Sequence, residues 1–122
     1  VIELLKRWAA KRPDECKIGK FGRWEIGNYS FGFNADSSIY ALLINVPGGH
    51  VASGQPALDW LLGCVMRAIE AKGLDYEQFH DSRLVKIGQQ YSVRIEGQRR
   101  INLADRVEAL LTAYVEWLEG IE

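Results

Sequence analysis

Gln55 to Lys72, QPALDWLLGCVMRAIEAK, is the stretch on which the reading of the fold turns. At ~3.6 residues per turn, Leu58, Leu61, Leu62, Val65 and Ile69 form its main apolar stripe. Ala57, Trp60, Cys64, Ala68 and Ala71 continue the apolar surface round one side. Asp59, Gly63, Arg67 and Glu70 are left a wedge of roughly a quarter of the circumference. A helix this apolar is normally covered on more than one side. A chain of 122 residues has few elements to do that, so a second copy of the molecule is the expected cover. Trp is a favoured interface anchor, and Gly63 and Cys64 are small enough to let another helix approach. Trp60, Gly63, Cys64 and Arg67 are therefore the expected interface. The alternative is cover of Trp60 within the chain, by the first helix or by the loop at 46–56.

Upstream of this helix the pattern changes to alternation. In KFGRWEIGNYSFGF, residues 20–33, a hairpin turn at Gly27-Asn28 pairs Ile26 with Tyr29, Trp24 with Phe31 and Gly22 with Phe33 on one face. Arg23, Glu25, Ser30 and Gly32 fall on the other. SSIYALLINV, residues 37–46, is apolar on both parities. It is read as a strand buried on both faces or with one face awaiting a partner. Pro47-Gly48-Gly49 ends it, and the loop that follows brings Pro56 to the first helical turn, where a missing N–H costs little. At the start of the chain VIELLKRWAAKR, residues 1–12, predicts a short basic helix stopped by Pro13.

Downstream, Gly73 closes the middle helix, and LDYEQFHDS, residues 74–82, reads as irregular. Residues 83–96 predict a second hairpin around 88–90, with Val85, Ile87, Tyr91, Val93 and Ile95 on one face. Asn102 is the expected cap of the last helix, whose stripe is Leu103, Val107, Leu110, Leu111, Tyr114 and Leu118. Roughly half of that helix is polar, so one packing surface is expected to satisfy it. The order α-βββ-α-ββ-α predicts the α+β class: a two-layer sandwich of about five mostly antiparallel strands with helices on the sheet.

One domain fits this length, and 48% hydrophobic with 25% charged residues is an ordinary globular composition. A net charge of −1 gives no electrostatic case for nucleic acid. The aromatic run YSFGF lacks the opening of an RNA-stacking strand, and Gln98-Arg99-Arg100 is too short for a basic patch. Cys16 and Cys64 are distant in sequence and in no CxxC pattern, and with two histidines no metal site is expected. No stretch has the ~20 apolar residues of a membrane span. The first residues lack a signal-peptide profile, so the expected location is cytoplasmic.

Two stretches invite a chemical reading. The glycine-rich loop VPGGHVASGQP, residues 46–56, stands before a helix N-terminus, where backbone N–H groups can meet an anion. Gly48, Gly49, His50, Ser53 and Gln55 are its candidate ligand-binding residues, although the loop has neither a phosphate-loop ending nor a dinucleotide spacing. His80-Asp81-Ser82 holds the residue types of a hydrolase triad, but consecutive residues do not generally converge on one substrate atom. No catalytic residue and no cofactor is expected.

In element order, size and near-neutral charge the chain resembles the class I chaperones of type III secretion. The resemblance implies a small cytoplasmic homodimer without enzymatic activity, holding an extended segment of a partner protein. It implies a dimer built on the middle helix and neighbouring strands, with Trp60, Cys64 and Arg67 at the interface and a groove on the first helix and sheet. The expectation is a non-enzymatic homodimeric adaptor. The alternatives are a ligand-binding protein or small enzyme using the loop at 46–56, and an inhibitor or immunity-type factor of a mobile element.

Overall fold

The structure, a computed structural model, describes residues 1–44, 47–80, 88 and 90–120. Helix α1 (Ile2–Lys11) buries Leu4, Leu5 and Trp8 and ends at Arg12, whose φ of −135° leaves the helical region before Pro13. A five-stranded meander follows: β1 (Lys17–Ile18), β2 (Trp24–Ile26), β3 (Tyr29–Phe33), β4 (Ile39–Leu43) and β5 (His50–Ser53). Each strand pairs antiparallel with the next. Helix α2 (Gln55–Ala71) packs on β4 and β5. A second sheet, β6 (Tyr76–His80), β7 (Tyr91–Ile95) and β8 (Ile101–Leu103), has the order β6-β7-β8 and is also antiparallel. Helix α3 (Arg106–Gly120) packs on β7 and β8.

The α+β class expected from the pattern is the fold observed: three helices packed on antiparallel sheets. The strands do not form one sheet, however, but a sheet of five and a sheet of three. The additional strands come from segments with weak signals. β1 has only two residues, β5 lies in the glycine-flanked loop, and β6 was expected to be irregular because its alternation carries few apolar residues. In the first hairpin Trp24 faces Phe31 and Ile26 faces Tyr29, as the alternation predicts, with Gly27 left-handed at φ 58°. Gly22 does not pair with Phe33, because it sits in a 3-10 turn over Lys20–Gly22. The first arm of the second hairpin, residues 83–87, lies outside the described residues.

Two expectations for the end of the chain are corrected. Asn102 is not the helix cap but part of β8. The cap is Asp105, whose Oδ1 accepts from the Glu108 backbone N–H at 3.0 Å. NLADRVE offers both polar residues, and only Asp105 has a glutamate three places on, the residue type of a capping box. Nor does one packing surface satisfy this helix. α3 buries Val107, Ala109, Leu110, Leu111, Ala113, Tyr114, Val115 and Leu118, with α1, α2, β7 and β8 all against it. The small side chains of Ala109 and Ala113 widen the buried surface beyond the large-residue stripe. α3, not α2, is the most enclosed helix.

Candidate functional site

On α2, the second apolar arc is partly covered within the chain. Ala57 and Cys64 are buried, Trp60 and Ala68 half-buried, and Arg67 and Ala71 exposed. At Trp60 one cover is β3, an element not expected there, whose Tyr29 ring lies 5.4 Å from the Trp60 ring. Beside this contact runs an open cleft of about 530 Å³ between the end of α1, the Gly27-Asn28 turn and α2. Trp8, Glu15, Tyr29, Cys64 and Arg67 are among its lining residues.

Arg67 folds back along its own helix. Its Nη2 is 3.6 Å from the Cys64 sulfur, and its guanidinium carbon is 5.8 Å from the Tyr29 ring centroid. A Cβ at Gly63 would stand 3.3 Å from the guanidinium, so the glycine leaves room for that return. Among the described residues no carboxylate pairs with Arg67. Trp60, Gly63, Cys64 and Arg67, singled out from sequence, thus form one surface with Tyr29.

The opposite wall is a network centred on Glu15. Its Oε1 accepts from Tyr114 Oη at 2.6 Å and from Trp8 Nε1 at 3.1 Å. Its Oε2 pairs with the Lys72 ammonium, and Arg12 stands 3.5 Å away. Lys72 in turn lies 5.2 Å from the Tyr114 ring centroid, and Trp8 meets that ring edge-on at 5.5 Å. Burial pushes the Glu15 carboxyl upward, but its bonds from Lys72, Tyr114 and Trp8 outweigh burial and hold it below the usual carboxylate range. Burial and the same hydrogen bond raise the Tyr114 hydroxyl. This wall is satisfied and charge-neutralised, suited to holding three helices in place. Sequence reading missed it because Lys72 and Tyr114 are 57 and 99 positions from Glu15. Only the presence of Tyr114 in the α3 stripe was visible.

The cysteines are free and buried. Burial first, then the nearby Glu15 and Cys64, pushes the Cys16 thiol up to about 12. Burial raises Cys64 to about 11 despite the opposing influence of Arg67. Neither is poised as a nucleophile.

The loop candidates are spread out. Gly48 and Gly49 are left-handed, at φ 82° and 58°, before β5. His50 and Ser53 lie on β5 at opposite parity and so on opposite faces of the sheet. Gln55 opens α2 and donates to Asp59 at 2.9 Å. The five are not brought to one point. His80 ends β6, and Asp81 and Ser82 lie outside the described residues. Among the described residues no group of His, Cys, Asp and Glu is placed to hold a metal, and no helix is long and apolar enough to cross a membrane.

Comparison with models of protein families, with curated proteins and with solved structures finds no match to this chain.

Proposed function

We propose that the chain is a non-enzymatic protein-binding module, a cytoplasmic homodimeric adaptor or chaperone-like protein, that takes a partner segment in the cleft beside α2. The observation that carries this reading is the surface formed by Trp60, Tyr29 and Arg67. Two half-buried aromatic rings lie next to a guanidinium held 5.8 Å over one of them and 3.6 Å from the Cys64 sulfur, with no carboxylate from the described residues upon it. Trp, Tyr and Arg are the residue types that dominate binding energy at protein interfaces. Holding the guanidinium in place before binding reduces the ordering cost that association must overcome. The partner segment that fits has an apolar side chain for the Trp60–Tyr29 side and a carboxylate for Arg67.

The test is capture of a partner from extracts of the source cells on the wild-type chain, on Trp60→Glu and on Arg67→Glu. The reading expects one protein retained in near-stoichiometric amount by the wild type and lost from both variants, whose circular dichroism is unchanged. Equal retention by all three chains, or no protein retained by the wild type, would count against it.

A further inference from the structure

β5 is the last strand of its sheet, and no other strand lies on its outer side among the described residues. Gly54 N–H donates to the Ile39 carbonyl at 3.1 Å, in the same register as the β4–β5 ladder. Bonded and unbonded pairs alternate in an antiparallel ladder. His50 and Ala52 therefore direct their N–H and C=O groups toward β4, and Val51 and Ser53 direct theirs outward. The bond from Ile44 N–H to the Asn28 carbonyl supports this parity, because it turns the even positions of β4 toward β3 and leaves the odd ones for β5.

Sheet edges are normally blunted by brevity, charge, proline or a bulge. β1 is two residues long and carries Lys17, and β8 has three residues. β6 carries Glu77, which pairs with Arg100 at 3.1 Å. β5, His50-Val51-Ala52-Ser53, has no charged side chain, and Val51 is 70% exposed.

We infer that the occupant of this edge is β5 of a second copy, paired antiparallel about a two-fold axis through Val51. The register follows from the faces. An axis perpendicular to the sheet keeps every side chain on its own face, so the axis must pass through a residue. An axis at Ala52 would bond Val51 to Ser53 of the other copy and set each valine opposite a serine, whereas an axis at Val51 bonds Val51 to its own counterpart and sets the two exposed valines opposite each other. The apolar match selects the Val51 axis, in which His50 and Ala52 lie opposite each other on the inner face. Gly49, left-handed at φ 58°, ends the pairing. Leu42 is cross-strand from Val51 on the outer face, so Leu42 and Val51 of both copies form one apolar row. Neither β5 nor the β4 residues opposite it carry a charge, so two copies bring no like charges together. The pairing is shorter than a standard interface of roughly 800 Å² per partner, and the dimer forms with rising concentration.

This inference rests on the two-copy part of the proposed function and not on the groove. Its test is the light-scattering mass of the full chain across concentration, for wild type, Val51→Pro and Val51→Lys. The Val51 N–H points away from β4, so proline removes the intermolecular donor and no bond of the ladder. Lysine keeps the donor and sets two like charges across the axis. Wild type is expected to approach twice 13.8 kDa, while both variants stay at the monomer mass with unchanged circular dichroism. Should Val51→Pro not fold, Val51→Lys carries the test.

Cysteine substitution reads the register. Val51→Cys is expected to cross-link under mild oxidation, because bonded antiparallel pairs have Cα atoms ~5.5 Å apart, within disulfide reach. Ser53→Cys, ~13 Å from its counterpart, is not. A wild-type chain that is monomeric at every concentration overturns both this inference and the two-copy reading. A dimer that persists in both Val51 variants overturns the edge alone, as does cross-linking through Ser53→Cys but not Val51→Cys.

Discussion

Tyr114 on α3 donates a 2.6 Å hydrogen bond to the carboxylate of Glu15, which stands 99 positions earlier in the loop after α1. Through Lys72 the same carboxylate also holds the end of α2. One side chain thus joins three helices and lines the cleft together with Tyr29 and Arg67.

Removing either end of this bond is expected to destabilise the fold by about 2 kcal/mol, since hydrogen bonds to a charged group lie in that range. Glu15→Ala, which removes the acceptor, and Tyr114→Phe, which removes the donor, compared by urea denaturation at neutral pH, should each show at least this loss. The double variant should lose less than the sum, because the two residues share one interaction. Full additivity would mean that the bond contributes nothing.

The pH dependence follows from the direction of the Glu15 shift. Its folded value lies below the unfolded value, taken as 4.5. The stabilisation is therefore fully present above that pH and is lost as pH falls through the folded value. Wild type should lose stability on acidification below pH 4.5, and Glu15→Gln should remove part of that slope. Asp14, held at about 2 chiefly by its hydrogen bond from Arg12, contributes to what remains. An unchanged acid slope in Glu15→Gln would contradict this.

The two polar residues before α3 are expected to behave oppositely. Asp105→Ala should cost about 1 kcal/mol through loss of the helix cap. Asn102→Ala should cost far less at the helix, because Asn102 sits in β8 with a buried Oδ1 that accepts no hydrogen bond among the described residues. Thermal denaturation of the two variants distinguishes them, and a larger loss for Asn102→Ala would contradict the placement of the cap.

Gly32 leaves room for Tyr40 on the outer face of the five-stranded sheet. A Cβ at Gly32 would lie 2.3 Å from the end of the Tyr40 ring. Gly32→Ala should therefore displace the ring and cost about 1 kcal/mol. In a Tyr40→Ala background the same change should be neutral or stabilising, because alanine is better than glycine within a strand. A cost that persists without Tyr40 would point to the backbone instead.

Much of this architecture was legible in the residues. The α1 and α2 boundaries, the Gly27-Asn28 turn and the Trp24–Phe31 register all rest on local periodicity and turn chemistry, and these signals survive folding. Trp60 and Arg67 were legible as a surface because four or fewer positions separate neighbours on one helix face. β5 and β6 were not legible, since glycine flanks one and polar residues dilute the other. The enclosure of α3 was hidden because Ala109 and Ala113 carry little hydrophobic weight and yet let other elements pack closely. The Glu15 network was beyond reach, being made wholly of contacts distant in sequence.

The most direct test of the account is the solution mass of the wild-type chain beside that of Trp60→Glu. If the copies join at β5 and leave the α2 surface free for a partner, both chains should reach the same dimer mass at high concentration. A folded Trp60→Glu that stays monomeric while the wild type dimerises would place the second copy on α2 itself and contradict the account.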